Sequence, residues 1–327
     1  MASHTSVLSV RGLHVTFSTP RGPLHAVQGV NFDLGEGETM GLVGESGSGK
    51  STLALGILRL LPLNGKWTAD SISVMGQNVT SMSERDLDDK FRWTKIAYVP
   101  QASQNALDPL YRVGDQFVET VAAHAKTERD DVLKRARTLL EQVGVDPSKL
   151  QSYPWELSGG QKQRVMIAMA LILEPKIIIL DEPTTALDTI IQAQILELFK
   201  QMRTFQKLSS IFISHDIAVI ANIADRVGVM YAGNLVEVAS VNDIFKNPIH
   251  PYTQGLRESV PDVRKNKAIS FIPGTPPDLV NPPAGCRFHP RCPYVQGVCK
   301  TTDPPLVRYP GDHYAACHFA ERWVTQQ

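Results

Sequence analysis

A glycine-rich segment, residues 44–52, reads Gly-Glu-Ser-Gly-Ser-Gly-Lys-Ser-Thr and fits the phosphate-loop pattern G-x-x-x-x-G-K-[ST]. It lies between a predicted strand and a predicted helix, which favours nucleotide binding over a plain connection between the two. Glycines let successive backbone N–H groups point at phosphate oxygens, and the positive end of the helix dipole adds to that attraction. Lys50 can reach the β- and γ-phosphates, and the Ser51 hydroxyl can bind Mg²⁺. The nucleotide-binding candidates in this loop are Gly44, Ser46, Gly47, Gly49, Lys50, Ser51 and Thr52.

A second chemical candidate is a pair of carboxylates at the end of an apolar run. Residues 177–180 read Ile-Ile-Ile-Leu and are followed directly by Asp181 and Glu182. A buried parallel strand delivers residues at its carboxyl end to the ligand crevice of the sheet. Asp181 is therefore predicted to support Mg²⁺ and Glu182 to act as general base toward a water molecule. Without the phosphate loop, an apolar strand that ends in a polar turn would explain these residues equally well.

A third candidate is the sequence Leu-Ser-Gly-Gly-Gln at residues 157–161, which opens a predicted helix. Ser158 is a suitable N-cap, and the free amides of Gly159 and Gly160 form a second anion site at a helix N-terminus. In isolation this is an ordinary cap and turn. Because one nucleotide can rarely use both phosphate-binding devices of one subunit, we expect a head-to-tail pair in which this segment, including Gln161, closes the partner's site.

The elements that must position these residues follow an alternating pattern. Apolar β-branched runs alternate with helical patterns, which predicts an α/β fold with a mainly parallel, covered sheet. An antiparallel β flank is expected at the start of the chain, and an inserted helical subdomain at about residues 102–157. The predicted strands are residues 8–17, 26–34, 39–43, 95–99, 176–180 and 210–214, and the predicted helices are residues 50–61, 113–143 and 161–173.

Charge and hydropathy exclude several classes of protein. Lys plus Arg and Asp plus Glu number 33 each, so the chain has no net basic charge to attract nucleic acid or acidic lipid. The apolar run at residues 165–173 is far shorter than the roughly 20 residues that span a bilayer. No secretory signal is visible at the start of the sequence. We therefore expect a cytosolic chain that does not cross a membrane.

Taken together, these motifs resemble the ATP-binding-cassette (ABC) family. The loop at residues 44–52 resembles its Walker A motif, residues 157–161 its signature, and residues 180–182 its Walker B motif. The resemblance extends to four single residues: Gln101 in the place of the Q-loop glutamine, Asp188 in the D-loop, His215 in the switch loop, and Phe17 in the place of the aromatic ring that stacks on adenine. It implies that Gln101 contacts Mg²⁺ and the attacking water, that His215 holds the γ-phosphate, and that the protein hydrolyses ATP.

A narrower resemblance links the chain to the D-type ATPase subunit of oligopeptide and dipeptide importers. It is carried by residues 43–51, by residues 165–171 and by Pro-Ile-His-Pro-Tyr-Thr at residues 248–253. The resemblance implies two transmembrane permease subunits, an extracytoplasmic substrate-binding protein, and either a second related ATPase subunit or a second copy of this chain. It also implies a peripheral position on the cytoplasmic side of the cell membrane. Because the branch includes importers of oligosaccharides and nickel, peptide is the favoured cargo rather than a fixed one.

All four cysteines lie in the C-terminal tail of the chain. This tail is rich in proline, since 13 of the 22 prolines of the chain follow residue 240. We expect an ABC domain at residues 1–245 and a separate C-terminal region at residues 246–327. Cys286, Cys292, Cys299 and Cys317 lack the Cys-x2-4-Cys pairs typical of zinc, and disulfides are rare in the cytosol. Four thiolates suit a four-iron four-sulfur cluster, which some members of this branch carry here, whereas zinc and unligated thiols are the alternatives. Since the cysteines are remote from the ATP motifs in sequence, we expect the cluster to stabilise the tail while most ATP binding is independent of it.

The function expected from the sequence is thus that of an importer subunit that hydrolyses MgATP at a composite dimer interface. Two rival functions are kept: a soluble ABC-type ATPase that acts on DNA or ribosomes, and a metal-cluster scaffold that ATP regulates. The neutral charge and the single cassette count against the first rival, so no nucleic-acid partner is expected. The sequence does not identify the cargo or distinguish a homodimer from a heterodimer.

Overall fold

A computed structural model describes residues 5–101, 103–185, 187–259 and 271–324. The strands are β1 (Ser6–Thr19), β2 (Gly22–Gly35), β3 (Thr39–Val43), β4 (Gly65–Thr68), β5 (Ser71–Val74), β6 (Gln77–Asn78), β7 (Ile96–Val99), β8 (Ile177–Asp181), β9 (Ser209–Ile213), β10 (Arg226–Tyr231), β11 (Asn234–Ser240), β12 (Val307–Tyr309) and β13 (His313–Ala315). The helices are α1 (Lys50–Leu58), α2 (Glu84–Lys90), α3 (Val113–Ala122), α4 (Arg129–Gln142), α5 (Gly159–Leu171), α6 (Thr189–Gln206), α7 (Ile217–Ile223), α8 (Val241–Lys246) and α9 (Pro251–Glu258).

The chain forms two compact units. The phosphate-loop unit comprises the described residues within 9–33, 39–72 and 212–327, and the acidic-strand unit comprises those within 1–8, 34–38 and 73–211. The chain passes from the second of these units to the first within β9.

In the phosphate-loop unit, two parallel strands carry the residues that lead into the glycine-rich loop. Strand β3 pairs in parallel with β10, with Leu42 opposite Gly228. All five residues of β3 are buried, as expected of a parallel strand that is covered on both faces. The ladder continues through antiparallel pairs from β10 to β11, from β11 to β13 and from β13 to β12. The C-terminal tail therefore adds two strands to the same sheet as β3.

In the acidic-strand unit, β7 and β8 also pair in parallel, with Val99 opposite Leu180. All five residues of β8 are buried. Helices α3 and α4 bury one apolar face each, including Phe117 and Leu140, while their opposite faces are polar. Their positions confirm the helical pattern expected for residues 113–143, although a break between Ala122 and Arg129 divides it into two helices.

The predicted strands are confirmed with small shifts in their ends, and the antiparallel flank is longer than expected because β1 and β2 have 14 residues each. Helix α1 differs more clearly, since it ends at Leu58 and not at residue 61. Arg59 adopts the left-handed conformation with φ 57°, and its N–H donates to the carbonyl of Gly56 at 3.2 Å. Leu60 N–H then donates to Leu55 at 2.9 Å, which is the pattern of a Schellman cap. The helix is thus ended by a local cap before Pro62.

The proline-rich tail is more regular than its composition suggests. Its described residues form helix α9, strands β12 and β13 and several short 3-10 turns. In the parts of the chain that the structure describes, every helix is too short or too polar to cross a membrane. The proposed boundary between residues 245 and 246 and the limits of the helical subdomain stay predictions.

Candidate nucleotide-binding site

The glycine-rich loop leaves β3 and enters α1, as the motif predicts. Gly44 has φ 152° and Gly49 has φ 101°, and a side chain at either position would collide with a backbone carbonyl, of Met230 and Ala26 respectively. Gly47 has φ 76° and no atom within 4 Å of the place where a Cβ would be. Gly44 and Gly49 therefore allow the loop to pack closely against its own unit, whereas the outer side of the loop is open at Gly47.

Lys50 lies at the first position of α1, and only 6% of its surface is exposed. Its Nζ donates to the carbonyls of Gly44 at 2.8 Å and Glu45 at 3.0 Å, and to the Ser48 hydroxyl at 3.3 Å. The ammonium group is thus held inside the curve of the loop, where it can exchange backbone carbonyls for phosphate oxygens. Ser51 and Thr52 follow in the first turn of α1 and are half-buried, and Ser46 is exposed.

Glu45, the acidic residue of the loop, makes a contact that sequence reasoning missed. Arg291 donates from two guanidinium nitrogens to the two carboxylate oxygens of Glu45, at 2.7 and 3.0 Å. The Glu45 N–H donates to the Tyr252 hydroxyl at 2.8 Å. Hydrogen bonds to Glu45 and Tyr231 raise the pKa of Arg291, which keeps its charge. The expectation that most ATP binding is independent of the cluster stays a prediction, but Arg291 brings the tail into direct contact with the phosphate loop.

Two further predicted residues belong to the phosphate-loop unit. His215 is exposed in the loop after β9, between the buried Ser214 and Asp216, whose carboxylate caps α7 by accepting from Ala218 N–H at 2.8 Å. Phe17 is half-buried on β1, paired with Gly65 of β4, whose missing side chain leaves room for the ring. The Phe17 ring is thus held on a strand and the His215 ring in a loop between β9 and α7, and neither position contradicts its predicted role.

In the acidic-strand unit, Asp181 is the last residue of β8 and is 1% exposed. The Tyr98 hydroxyl, from the neighbouring β7, donates to Asp181 Oδ2 at 3.2 Å. Burial and then the charge of Asp181 raise the pKa of Tyr98, so the hydroxyl keeps its proton. Tyr98 is therefore a support for the acidic strand that the sequence motif did not single out.

Glu182 lies just beyond the strand with φ 49°, an uncommon conformation for a residue with a side chain. Its Oε2 accepts from Gln101 Nε2 at 3.1 Å and from the Thr185 hydroxyl at 3.2 Å. The Gln163 side chain also reaches the Glu182 carbonyl, at 3.5 Å. The structure thus brings together two residues that the sequence assigned to catalysis, Glu182 and Gln101.

The signature segment forms the start of α5 as predicted. Ser158 is the N-cap, its hydroxyl accepting from Gln161 N–H at 3.3 Å, while the Gln161 side chain accepts from Ser158 N–H at 2.9 Å. This reciprocal pair is a capping box, and it leaves Ser158 exposed with Gly159 and Gly160 in the first turn. Asp188 is the N-cap of α6, and its carboxylate accepts from the N–H groups of Ile190 and Ile191 without a reciprocal bond. In this structure both side chains therefore serve helix termini.

The four cysteines all lie within the phosphate-loop unit. Burial raises the pKa of Cys286 to about 12, and negative charge on the other three thiols acts in the same direction. Burial likewise raises the pKa of Cys317 to about 11. The thiols are thus close enough to influence one another, and Cys286 N–H donates to the Cys299 carbonyl at 2.9 Å. Even so, among the described residues, these four included, no group of three or more His, Cys, Asp or Glu side chains has the arrangement that would hold a metal ion.

Comparison with known proteins agrees with the two sets of motifs. Residues 27–185 match the ABC transporter family, and residues 236–299 match the oligopeptide/dipeptide transporter C-terminal region. The dipeptide transport ATP-binding protein DppD of Bacillus subtilis (strain 168) is 45% identical over 325 residues, covering 98% of this chain and 95% of the relative. The oligopeptide transport ATP-binding protein OppD of Escherichia coli (strain K12) is 40% identical over 315 residues, covering 95% of this chain and 93% of the relative.

Among solved structures, the dimeric post-hydrolysis state of the ATP-binding cassette MJ0796, bound to ADP and Pi, superposes with a TM-score of 0.63. It is 27% identical and covers 72% of this chain and 98% of that chain. The fold and the phosphate loop thus define an ABC-type ATPase. Within that class, the chain belongs to the family of ATP-binding subunits of oligopeptide and dipeptide transporters, which confirms the resemblance drawn from the sequence.

Proposed function

We propose that this chain hydrolyses MgATP to drive uptake of oligopeptides or dipeptides across a cell membrane. The observation that carries the proposal is the phosphate loop, in which a buried Lys50 lies inside the curve formed by residues 44–49. The chain works at the cytoplasmic face as a peripheral subunit on two transmembrane permeases, with an extracytoplasmic binding protein delivering the cargo. The near full-length similarity to DppD and OppD supports peptide as the cargo class.

The residue roles follow from the chemistry of each side chain. Lys50 and the loop amides bind the ATP phosphates, with Ser46 and Thr52 beside them, and Phe17 stacks on the adenine. Mg²⁺ fits the available donors, since Ser51, Asp181 and Gln101 supply the oxygen ligands that this ion prefers. When bound, the ion neutralises charge on the phosphates.

Hydrolysis itself depends on residues that hold a water and a proton. Glu182 accepts a proton from the attacking water as general base, and Gln101 orients the Glu182 carboxylate through its side-chain amide. His215 holds the γ-phosphate, and its side chain is exposed in the loop after β9. Because such a site works mainly by positioning and charge stabilisation, exclusion of water completes it.

Exclusion of water requires a second ATPase subunit, either a related chain or a second copy. Ser158, Gly159, Gly160 and Gln161 present an exposed hydroxyl and a helix N-terminus that suit a phosphate group of the partner's nucleotide. Asp188 lies at the N-cap of α6 and faces the partner in the same assembly. The dimeric state of the MJ0796 cassette supports this arrangement.

The four cysteines hold a four-iron four-sulfur cluster in this proposal. The donor set fits, because four buried or half-buried thiols interact electrostatically within one short segment. Because no described group of side chains has the arrangement of a metal site, the proposal rests on the donor chemistry of the four thiols, and zinc stays the alternative. The cluster would cross-link residues 286–317, a stretch with little core of its own.

A genetic complementation experiment tests the function. Deleting the gene is expected to abolish uptake of labelled dipeptides and short oligopeptides, and the wild-type gene should restore uptake whereas Glu182→Gln should not. The tagged wild-type chain should also copurify with membrane permeases. Normal peptide uptake in the deletion strain, together with ATPase activity stimulated by nucleic acid, would contradict the proposal.

A further inference from the structure

Arg291 connects the cysteine-containing segment to the phosphate loop across 246 positions of sequence. Its side chain is 6% exposed, and that of Glu45 is 26% exposed. Two parallel N–H···O bonds fix the guanidinium plane against the Glu45 carboxylate, which is the strongest geometry for this pair of groups. The contact is therefore more than an incidental surface ion pair.

The remaining donors of Arg291 are also occupied by its own unit. Nε donates to the Pro273 carbonyl at 2.8 Å, and the two terminal nitrogens reach the Tyr231 hydroxyl and the Ile272 carbonyl at 3.3 Å each. All five N–H groups of the guanidinium therefore have an acceptor in this one position of the side chain. The two bonds to Glu45 hold the Glu45 carboxylate in a fixed position as well.

The charge of Glu45 explains why such a partner is needed. Glu45 is the acidic residue of a nine-residue loop whose ligand is a polyanion. An unpaired carboxylate there would repel the nucleotide phosphates, and low local dielectric would strengthen that repulsion. Pairing with Arg291 neutralises the charge of the Glu45 carboxylate and holds this group against the C-terminal tail.

Separate hydrogen bonds fix the backbone of the loop at Glu45. Glu45 N–H donates to the Tyr252 hydroxyl, and the Glu45 carbonyl accepts from Ser48 N–H at 3.1 Å as well as from Lys50. Tyr252 and Tyr231 pack against Phe288, with ring centroids 5.5 and 5.1 Å away. Because Phe288 lies in the cysteine segment, the loop and that segment share one packed cluster.

Arg291 itself sits on a short 3-10 turn, His289–Arg291, between two cysteines. His289 N–H donates to the Cys286 carbonyl at 2.9 Å, and Cys292 N–H donates to the His289 carbonyl at 3.3 Å. The backbone of the two cysteines is therefore hydrogen-bonded to the turn that carries Arg291.

We propose that Arg291 is a positioning residue for ATP binding, which pairs with Glu45 and thereby couples the cysteine-containing segment to the phosphate loop. The inference rests on ATP binding by this loop, as proposed above. It adds that affinity for nucleotide depends on the C-terminal segment as well as on the loop's own residues.

A double-mutant cycle on the full-length chain tests the inference. The variants are Arg291→Gln, Glu45→Gln and the double substitution, with Arg308→Gln as a matched control because Arg308 forms an exposed ion pair with Asp312 in the same tail. The measurement is the dissociation constant for a fluorescent ATP analogue, at a temperature where thermal unfolding shows every variant folded. A conservative variant, Arg291→Lys, keeps the charge but loses the two-point geometry.

Arg291→Gln is expected to weaken binding about tenfold, a size typical of coupled charged pairs. In the Glu45→Gln background the same substitution should weaken binding by no more than about threefold, because no carboxylate is left to repel the phosphates. Arg291→Lys should recover part of the loss, and Arg308→Gln should bind as wild type does.

Equal losses in the two backgrounds would overturn the role of Arg291, since a purely structural arginine acts regardless of Glu45. Should Arg291→Gln not fold, Arg291→Lys is compared in the two backgrounds instead, and equal losses again overturn the inference. A wild-type chain without saturable binding would contradict the proposed function itself.

Discussion

Gln101 Nε2 lies 3.1 Å from Glu182 Oε2, so two residues 81 positions apart form one hydrogen-bonded pair at the end of the acidic strand. Glu182 is also the residue with φ 49° in this stretch. An unusual backbone conformation aims the carboxylate, and the Gln101 amide and the Thr185 hydroxyl both donate to its Oε2. This is the arrangement expected of a group that must be oriented before it can take a proton.

The first prediction separates ATP binding from hydrolysis. Glu182→Gln should retain ATP binding but slow hydrolysis by about 10²- to 10⁴-fold, the usual range for the loss of a general base, and should accumulate an ATP-bound dimer. Lys50→Ala should instead weaken ATP binding, because a buried charge directed at the phosphates is lost. Steady-state ATPase rates and equilibrium nucleotide binding are measured on both variants. Normal turnover in Glu182→Gln would remove the catalytic assignment.

The second prediction concerns Ser158, which is exposed and caps α5. Ser158→Arg should leave ATP binding by the isolated chain largely intact and block nucleotide-driven dimerisation, because the bulky side chain occupies the place of the partner's phosphate. Size-exclusion chromatography of the hydrolysis-deficient Glu182→Gln background with ATP measures the dimer.

Ser83→Arg is the matched control, since Ser83 caps α2 in the same unit by accepting from Asp86 N–H at 3.1 Å. It loses a comparable cap, which costs about 1 kcal/mol of stability, but should dimerise normally. Loss of ATP binding by the folded Ser158→Arg monomer would count against the head-to-tail arrangement.

The third prediction is a dependence of stability on pH that arises at His250. This residue is 2% exposed at the N-cap of α9, and its Nδ1 accepts from Tyr252 N–H at 3.1 Å. Burial lowers the pKa of His250 to about 4, although the charge of Glu237 opposes the shift. The unfolded chain therefore binds a proton below about pH 6.5 that the folded chain refuses. Stability is fully present above that pH and is lost as pH falls toward 4.

Since one pKa unit corresponds to about 1.4 kcal/mol, the full loss is on the order of 3 kcal/mol, of which about 2 kcal/mol falls between pH 7.5 and pH 5. Denaturant unfolding at pH 7.5 and pH 5 measures it. His250→Asn keeps an acceptor for the cap and should show a smaller fall between the two pH values. His14→Asn, at an exposed position in the same unit, should keep the wild-type fall. An identical fall in His250→Asn and wild type would contradict the assignment.

The fourth prediction concerns the cysteine cluster. Anaerobically purified protein should be brown, with broad absorbance near about 400 nm, and should contain iron and sulfide. Cys292→Ser should lose the colour and make the tail sensitive to protease. Because Arg291 precedes Cys292 and rests on the same turn, ATP affinity should fall as well. Stoichiometric zinc without iron would reject the cluster, and a tail that resists protease without metal would reject its stabilising role.

The sequence by itself determined the features that depend on short-range patterns. The phosphate loop needs its glycines and Lys50 within nine residues, and the capping box at Ser158 and Gln161 spans three positions, so local composition is enough to predict both. The order of these motifs along the chain then identified the family. Buried strands such as β8 were visible because parallel strands covered on both faces are continuously apolar.

Only the tertiary structure decided which distant residues support those motifs. Tyr98 meets Asp181 across 83 positions because β7 and β8 pair in parallel, and Arg291 meets Glu45 because the tail packs against its own unit. Neither arginine nor tyrosine carries a local signal for its partner, since contacts of this kind depend on the path of the chain between them. The spacing of the motifs therefore shows no link between the C-terminal segment and the phosphate loop, whereas the packed chain joins them through Arg291 and Glu45.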